Sequence, residues 1–88
     1  MNRPEAYKII SAALERYHAL GFQALSQKVG SRDTEDIVAP SGVRYTVDIS
    51  VAWSDAQHRE LVVRGRIDDQ NSFRSIPLEE KICVSPVA

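Results

Sequence analysis

The segment from Val43 to Trp53 constrains the fold more than any other part of the chain. Its odd-numbered positions carry Val, Tyr, Val, Ile, Val and Trp, whereas its even-numbered positions carry Arg, Thr, Asp, Ser and Ala. Because successive side chains of a β-strand point to opposite faces of a sheet, this alternation predicts a strand with one apolar and one polar face. The apolar face needs another element to cover it.

The N-terminal segment has the pattern of that covering element. Pro4 and Glu5 suit the first turn of a helix, and Gly21 is placed to end the helix in the left-handed region. Between them, apolar residues recur every three or four positions, at Ala6, Ile10, Ala13, Tyr17 and Leu20. This spacing predicts one amphipathic helix whose apolar stripe packs on the sheet.

The rest of the chain predicts an antiparallel meander. Residues 30–34 have the composition of a loop, residues 35–39 of a short strand, and residues 40–42 of a tight turn. Residues 61–67 alternate again, 73–76 predict a further strand, 78–81 a turn, and 82–84 a last short strand. The predicted fold is α+β: an N-terminal amphipathic helix packed on one face of a three- to four-stranded antiparallel β-meander, in the order α-β-β-β-β. We expect residues 1–88 to form a single small domain.

The two alternating strands also suggest a register. Pairing residues whose numbers sum to 112 places their apolar sets on one face and sets Asp48 opposite Arg64 and Arg44 opposite Asp68. Opposite-charge cross-strand pairs each stabilise a sheet by about 0.2–1 kcal/mol. We therefore expect this register between the second and third strands.

Composition limits the kinds of function that the chain can have. Its 88 residues include 11 basic and 12 acidic ones, a net charge of −1, which disfavours binding to nucleic acid or to an anionic membrane. The start of the chain is too polar for a signal peptide, and no apolar run reaches the ~20 residues that span a bilayer. A cytoplasmic location is the expectation.

The residues most often used in catalysis and metal binding are few and scattered. His18 and His58 are the only histidines and Cys83 the only cysteine, so the sequence predicts no disulfide, metal site or cofactor. Cys83 lies between Ile82 and Val84, which is typical of a buried apolar position rather than of a reactive thiolate. No catalytic residue is predicted, and a role other than that of an enzyme is favoured.

The polar face of the predicted sheet is the candidate site. It carries four arginines, namely Arg44, Arg64, Arg66 and Arg74. They predict either a surface for phosphate or carboxylate groups or an ordinary solvated face that Asp48 and Asp68 partly neutralise. Trp53, at the end of the central strand, is either an interface anchor or a residue that closes the core.

These observations favour a small, non-catalytic protein-interaction module. A meander has two edge strands, and strand addition at residues 35–39 or 82–84 would bind a partner protein or a second copy of the chain, giving a homodimer. Neither predicted edge is long or heavily charged. The alternative is a small-molecule or anion-binding protein that uses the arginine-bearing sheet face.

Overall fold

A computed structural model describes residues 2–70 and 76–86. Two helices and four strands follow one another along these residues: α1 (Arg3–Leu20), α2 (Phe22–Ser26), β1 (Arg32–Val38), β2 (Arg44–Trp53), β3 (Leu61–Asp69) and β4 (Leu78–Val84). The strands form one antiparallel sheet in the order β1-β2-β3-β4, and α1 packs across one face of it. The predicted α+β fold is confirmed. Neither helix of the described ranges has the length and apolar character needed to cross a membrane.

Helix α1 begins and ends near the predicted residues. The Asn2 side chain accepts a hydrogen bond from the Glu5 backbone N–H at 3.2 Å, which caps the first turn, and Pro4 lies in that turn. Gly21 follows the last turn with a φ of 85°, as predicted, but its ψ of 162° lies outside the left-handed helical region. Leu20 is 48% exposed, so the packed stripe of α1 ends before its last residue.

Strand β2 lies in the sheet with the predicted parity. Its residues Tyr45, Val47, Ile49 and Val51 are at most 5% exposed and form the core with the buried face of α1. Asp48, between them in sequence, lies on the opposite, open face. The alternation of β2 therefore decides which face of the sheet the helix covers.

The predicted register between β2 and β3 is wrong by two residues. Tyr45 lies opposite Asp69, Asp48 opposite Arg66, and Ser50 opposite Arg64, so paired residues sum to 114 rather than 112. The parity is unchanged, because a shift of two keeps every side chain on its face. The charge pairs that suggested the sum of 112 are too weak to fix a register against the packing and loop contacts that favour 114.

The connection between β2 and β3 holds the observed register. The Ser54 backbone N–H donates to the Glu60 carbonyl at 2.8 Å, directly after the last pair of the two strands. The Asp55 carboxylate accepts hydrogen bonds from the backbone N–H groups of Arg59 and Glu60 at 2.8 and 3.1 Å. Residues 54–60 are thus fixed as a loop by their own hydrogen bonds, and pairing resumes only at Leu61.

The register also places Gly65 directly beneath α1. A Cβ atom at this position would lie 2.6 Å from Ile10 Cδ1 and 2.9 Å from Ile10 Cγ1. Since real Cβ atoms do not approach carbon that closely, only glycine allows the helix to seat the Ile10 side chain here. The helix, the glycine and the register are therefore mutually dependent.

Both edge strands differ from the prediction. Strand β1 begins at Arg32, inside the predicted loop, and β4 begins at Leu78, inside the predicted turn. Each edge is seven residues long and carries several charges, contrary to the expectation of short, weakly charged edges. Of the strand predicted at 73–76, residues 73–75 lie outside the described residues, and Ile76 is not in a strand.

Cys83 is exposed, which corrects the prediction of a buried thiol. Its neighbours Ile82 and Val84 face α1, whereas Cys83 lies on the open face of the sheet. An apolar run of three residues is buried throughout only where both faces of a sheet are covered. Here α1 covers one.

Candidate functional site

The open face of the sheet is organised in rows that run across the four strands. Each row contains outward-facing residues from three or four neighbouring strands, and the observed pairings define its members. The row nearest the β2–β3 loop contains Ala52, Val62 and Cys83. The next row consists of Arg32, Ser50, Arg64 and Lys81, and we call it the basic row. It carries three cations and no carboxylate.

The next two rows differ from it in charge. Thr34, Asp48, Arg66 and Glu79 form a row of mixed charge beside the basic row. A third row, beyond that one, contains Asp36, Thr46 and Asp68. The charge of the open face therefore changes along the strand direction, from positive in the basic row to negative in the third row.

Arg32 and Asp48 tie the first two rows together. Arg32 Nη2 donates to Asp48 Oδ2 at 3.1 Å, and Thr34 Oγ1 donates to Asp48 Oδ1 at 2.6 Å. The Thr34 hydrogen bond, together with the hydrogen bond and charge of Arg32 and the charge of Arg66, lowers the pKa of Asp48 against the opposing effect of its partial burial. Asp48 therefore neutralises Arg32 and fixes the start of β1 against β2.

The other cations of these two rows form no ion pair with the described residues, although Arg66 lies directly opposite Asp48. Over residues 2–70 and 76–86, no carboxylate oxygen lies within 4.0 Å of the side-chain nitrogens of Arg64, Arg66 or Lys81. All three side chains are exposed. In the third row, by contrast, the Asp36 carboxylate has a hydrogen-bond partner within the chain, because Gln70 Nε2 donates to Asp36 Oδ1 at 3.0 Å.

The unpartnered cations surround a concavity of about 630 Å³. Arg64, Arg66 and Lys81 line it, together with the Arg32–Asp48 pair, Ser50, Gly65 and two glutamates of β4, Glu79 and Glu80. A second concavity of about 660 Å³ continues from it toward the β2–β3 loop and shares Arg64 and Lys81. The concave surface is mixed in charge, with its unpaired groups mainly positive.

The structure divides the four predicted arginines. Arg64 and Arg66 lie together in the concavity. Arg44 lies three rows from the basic row, a distance of about 20 Å at ~6.7 Å for every two residues along a strand. Arg74 lies outside the described residues.

Trp53 is engaged within the chain. Its ring stacks on the His58 ring at a centroid distance of 4.6 Å and an interplanar angle of 4°, and it packs against Phe22 at 5.9 Å. His58 holds this position with a φ of 57°, in the left-handed region. Trp53 therefore closes the end of the core beneath the β2–β3 loop.

Sequence reasoning misses Arg32 and Lys81 of the basic row, because Arg32 falls in the predicted loop and Lys81 in the predicted turn. It identifies Arg64, but the predicted register sets this residue opposite Asp48 instead of Ser50. With a sum of 112, a carboxylate would have interrupted the row. The charged and apolar alternation in residues 78–84 is the signal that could have identified β4 and, with it, Lys81.

The exposed Cys83 shares the second concavity with Arg59, Arg64 and Lys81, and no histidine lines it. Among the described residues, no group of three or more His, Cys, Asp or Glu side chains has a geometry that could hold a metal ion.

Comparison of the chain with protein-family models, with curated proteins and with solved structures found no match. What the open face does must therefore follow from the chemistry of its own side chains.

Proposed function

We propose that this protein is a non-catalytic protein-interaction module that binds an extended, acidic segment of a partner protein along the basic row. The observation that carries the proposal is that Arg64, Arg66 and Lys81 line one open concavity with no carboxylate within 4.0 Å of their nitrogens among the described residues. A sheet face that only needed solvation would be expected to pair these cations with the adjacent Glu79.

The chemistry of the three cations favours carboxylate ligands. Guanidinium groups bind carboxylates through paired, charge-assisted hydrogen bonds, and a lysine adds a flexible point charge beside them. Because Arg64, Arg66 and Lys81 are exposed, a ligand can reach them without any rearrangement of the sheet.

The dimensions of the basic row suit an extended peptide. Neighbouring strands lie ~4.8 Å apart, so the row spans about 14 Å from β1 to β4. An extended chain rises ~3.3 Å per residue, and about five residues would cross the row. Alternate acidic side chains of such a peptide, ~6.6 Å apart and on one side, would reach the cations.

The open face is poorly suited to single-stranded nucleic acid. Binding of that kind combines cations with aromatic rings on which bases stack. Tyr45 is fully buried on the α1 side, and the Trp53 ring is occupied by Phe22 and His58. The aspartates of the third row, Asp36 and Asp68, would also repel a phosphate backbone that extended along the strands.

A small anion is the second candidate ligand. Arg64 and Arg66 are two residues apart on one face of β3, so their guanidinium groups can converge on a single phosphate or carboxylate group. This candidate uses the same cations as the peptide but needs only the centre of the concavity.

Fluorescence anisotropy with a labelled polyglutamate peptide tests the proposal. The double variant Arg64→Ala/Arg66→Ala should weaken binding by about three- to thirtyfold, as expected for losing two exposed ion pairs, and higher salt should weaken binding further. The matched control is Arg3→Ala/Arg16→Ala, which removes the same charge from exposed positions of α1. It should change the Kd by about twofold or less.

Several results separate the alternatives. Equal losses in the two double variants would mean that only net charge matters, and the proposed site would be wrong. Inorganic phosphate that binds with high affinity and displaces the peptide would favour the small-anion candidate. Because the altered residues are exposed, the melting temperature should stay nearly constant. A large decrease in the melting temperature of Arg64→Ala/Arg66→Ala would show that these arginines stabilise the fold.

A further inference from the structure

Within the described ranges, strand β4 is an edge strand of the sheet. It pairs with β3 along one side, from Leu78 opposite Ile67 to Val84 opposite Leu61, and it is the last strand in the sheet order. An edge strand presents backbone N–H and C=O groups that can pair with another strand. The question is which strand β4 would accept.

The sequence of β4 complements itself. A two-fold axis through Glu80, perpendicular to the sheet, would pair residues of two copies whose numbers sum to 160. Leu78 would then lie opposite Ile82 of the second copy, and Glu79 opposite Lys81 of the second copy. By symmetry each of these pairs occurs twice, so one register supplies two apolar pairs on the α1 side and two opposite-charge pairs on the open face.

Other symmetric registers lack this match. An axis through Lys81 would set that lysine opposite itself, and an axis through Glu79 would do the same for that glutamate. The register about Glu80 has one unfavourable pair, Glu80 with itself, against four favourable ones.

The other edge is a poor candidate for self-pairing. Strand β1 carries Arg32, Asp33, Glu35 and Asp36, a net charge of −2, and most of its side chains are exposed. Two copies of β1 would bring these carboxylates together. Charge therefore favours β4 over β1 as the strand that meets a second copy.

The helix side of the β4 edge also has room for a second copy. A groove of about 330 Å³ lies between α1 and β4, lined in part by Tyr7, Leu14 and Ile82. Tyr7 is 53% exposed although it is a large, mainly apolar side chain. In the symmetric pair, both α1 helices lie on the same face and flank the joint between the strands, where the second copy would cover this groove.

We propose that two copies of the chain pair through β4 in antiparallel orientation about Glu80, joining two four-stranded sheets into one continuous sheet. The basic rows of both copies then lie on the same open face. Since Lys81 of each copy pairs with Glu79 of the second copy, the two sites that the dimer presents depend on Arg64 and Arg66. The pairing itself uses the strand edge and requires no ligand.

Sedimentation equilibrium of the chain alone, without peptide, tests this pairing. Glu79→Lys and Lys81→Glu each turn two attractive pairs into repulsive ones and should weaken the dimer by about tenfold or more. The double swap Glu79→Lys/Lys81→Glu restores opposite charges across the joint and should return the Kd to near the wild-type value. Glu80→Gln removes the single repulsion and should tighten the dimer by about two- to fivefold.

A wild-type chain that stays monomeric up to about millimolar concentration, the weak limit of specific association, would overturn the proposal. So would a dimer that is indifferent to the single reversals, or single reversals that the double swap does not rescue, since either result would place the contact elsewhere or in another register. Because the readout needs no ligand, failure here leaves the proposed peptide binding to be judged by its own assay. If a charge-reversal variant does not fold, as judged by its circular dichroism spectrum, the comparison of Glu80→Gln with the wild type tests the pairing instead.

Discussion

Replacing Gly65 with alanine measures how closely α1 approaches the sheet. In an ordinary strand interior, alanine is more stable than glycine by roughly 0.5–1 kcal/mol because glycine loses more backbone entropy on folding. At this position the added Cβ would lie 2.6 Å from Ile10 Cδ1, 2.9 Å from Ile10 Cγ1 and 3.2 Å from Ile49 Cδ1. The steric and entropic effects therefore have opposite signs.

The steric effect should prevail. Rotation about χ2 of Ile10 can move Cδ1 away, but Cγ1 moves only with χ1, which is stiff in a β-branched side chain. Ile10 is also fully buried, so its neighbours must shift with it. Overpacking of this kind costs about 1–3 kcal/mol, and after the entropic gain we expect Gly65→Ala to lower the free energy of unfolding by about 1–2 kcal/mol.

A double-mutant cycle tests the reason for the loss. Ile10→Val removes the nearest atom and alone should cost about 0.5–1.5 kcal/mol. Combined with Gly65→Ala, it should recover about 0.5 kcal/mol relative to additivity, because valine lacks the Cδ1 atom that lies 2.6 Å from the new Cβ but keeps the carbon at 2.9 Å. Ile67→Val, at another fully buried isoleucine, is the matched control and should add to Gly65→Ala without such recovery.

Urea denaturation followed by circular dichroism gives the required free energies. A Gly65→Ala variant as stable as the wild type, or more stable, would refute the close approach of α1 to β3. Additivity with Ile10→Val would show that the contact with Ile10 Cδ1 is not the source of the loss.

Two pH-dependent predictions follow from the hydrogen bonds around the sheet. Burial, together with a hydrogen bond to Glu5, raises the pKa of Tyr45 from its ordinary value of 10.0 to about 12. As the pH rises, this phenol ionises in the unfolded chain before it does so in the folded chain, so stability should fall between pH 10 and pH 12. Tyr45→Phe should reduce this alkaline loss in urea titrations, and an unchanged pH dependence would contradict the buried phenol. The Thr34 hydrogen bond and Arg32 lower the pKa of Asp48 in the folded chain. Ionised Asp48 therefore stabilises the fold above pH 3.8, and this stabilisation is lost as the pH falls through the lowered pKa. Asp48→Asn should therefore be less stable than the wild type at neutral pH and lose less stability on acidification, and a parallel loss in both proteins would contradict the contacts of Asp48.

The fold could be predicted because two periodic segments determine it. The alternation over β2 fixes which side chains face the core, and the apolar stripe of α1 provides what covers them. Both signals come from many residues that act in the same direction. Over these segments, secondary-structure propensity and the pattern of apolar residues favour the same helix and strand, so the prediction does not depend on any single residue.

The register could not be predicted in the same way. A shift of two residues preserves the parity of every side chain, so the apolar pattern fits a sum of 112 as well as 114. The choice depends on the hydrogen bonds of Asp55 within the β2–β3 loop and on the fit of Gly65 beneath Ile10. Both are tertiary details that the alternation of a strand does not encode.

The candidate site was partly missed for the same reason. Arg64 and Arg66 follow from the parity of β3, but Arg32 and Lys81 join them only once both edge strands and the correct register are known. Charged edge strands resemble loops in composition, because charges at a sheet edge discourage aggregation. The basic row is therefore a property of strand pairing rather than of any one segment.

The most direct test of the binding surface is a ¹⁵N–¹H correlation spectrum recorded during titration with the polyglutamate peptide. If the open face binds an acidic segment, the largest shift changes will fall on Ser50, Arg64, Arg66 and Lys81 and on their immediate neighbours in the strands. Shift changes confined to α1, or none at peptide concentrations well above that of the protein, would contradict it.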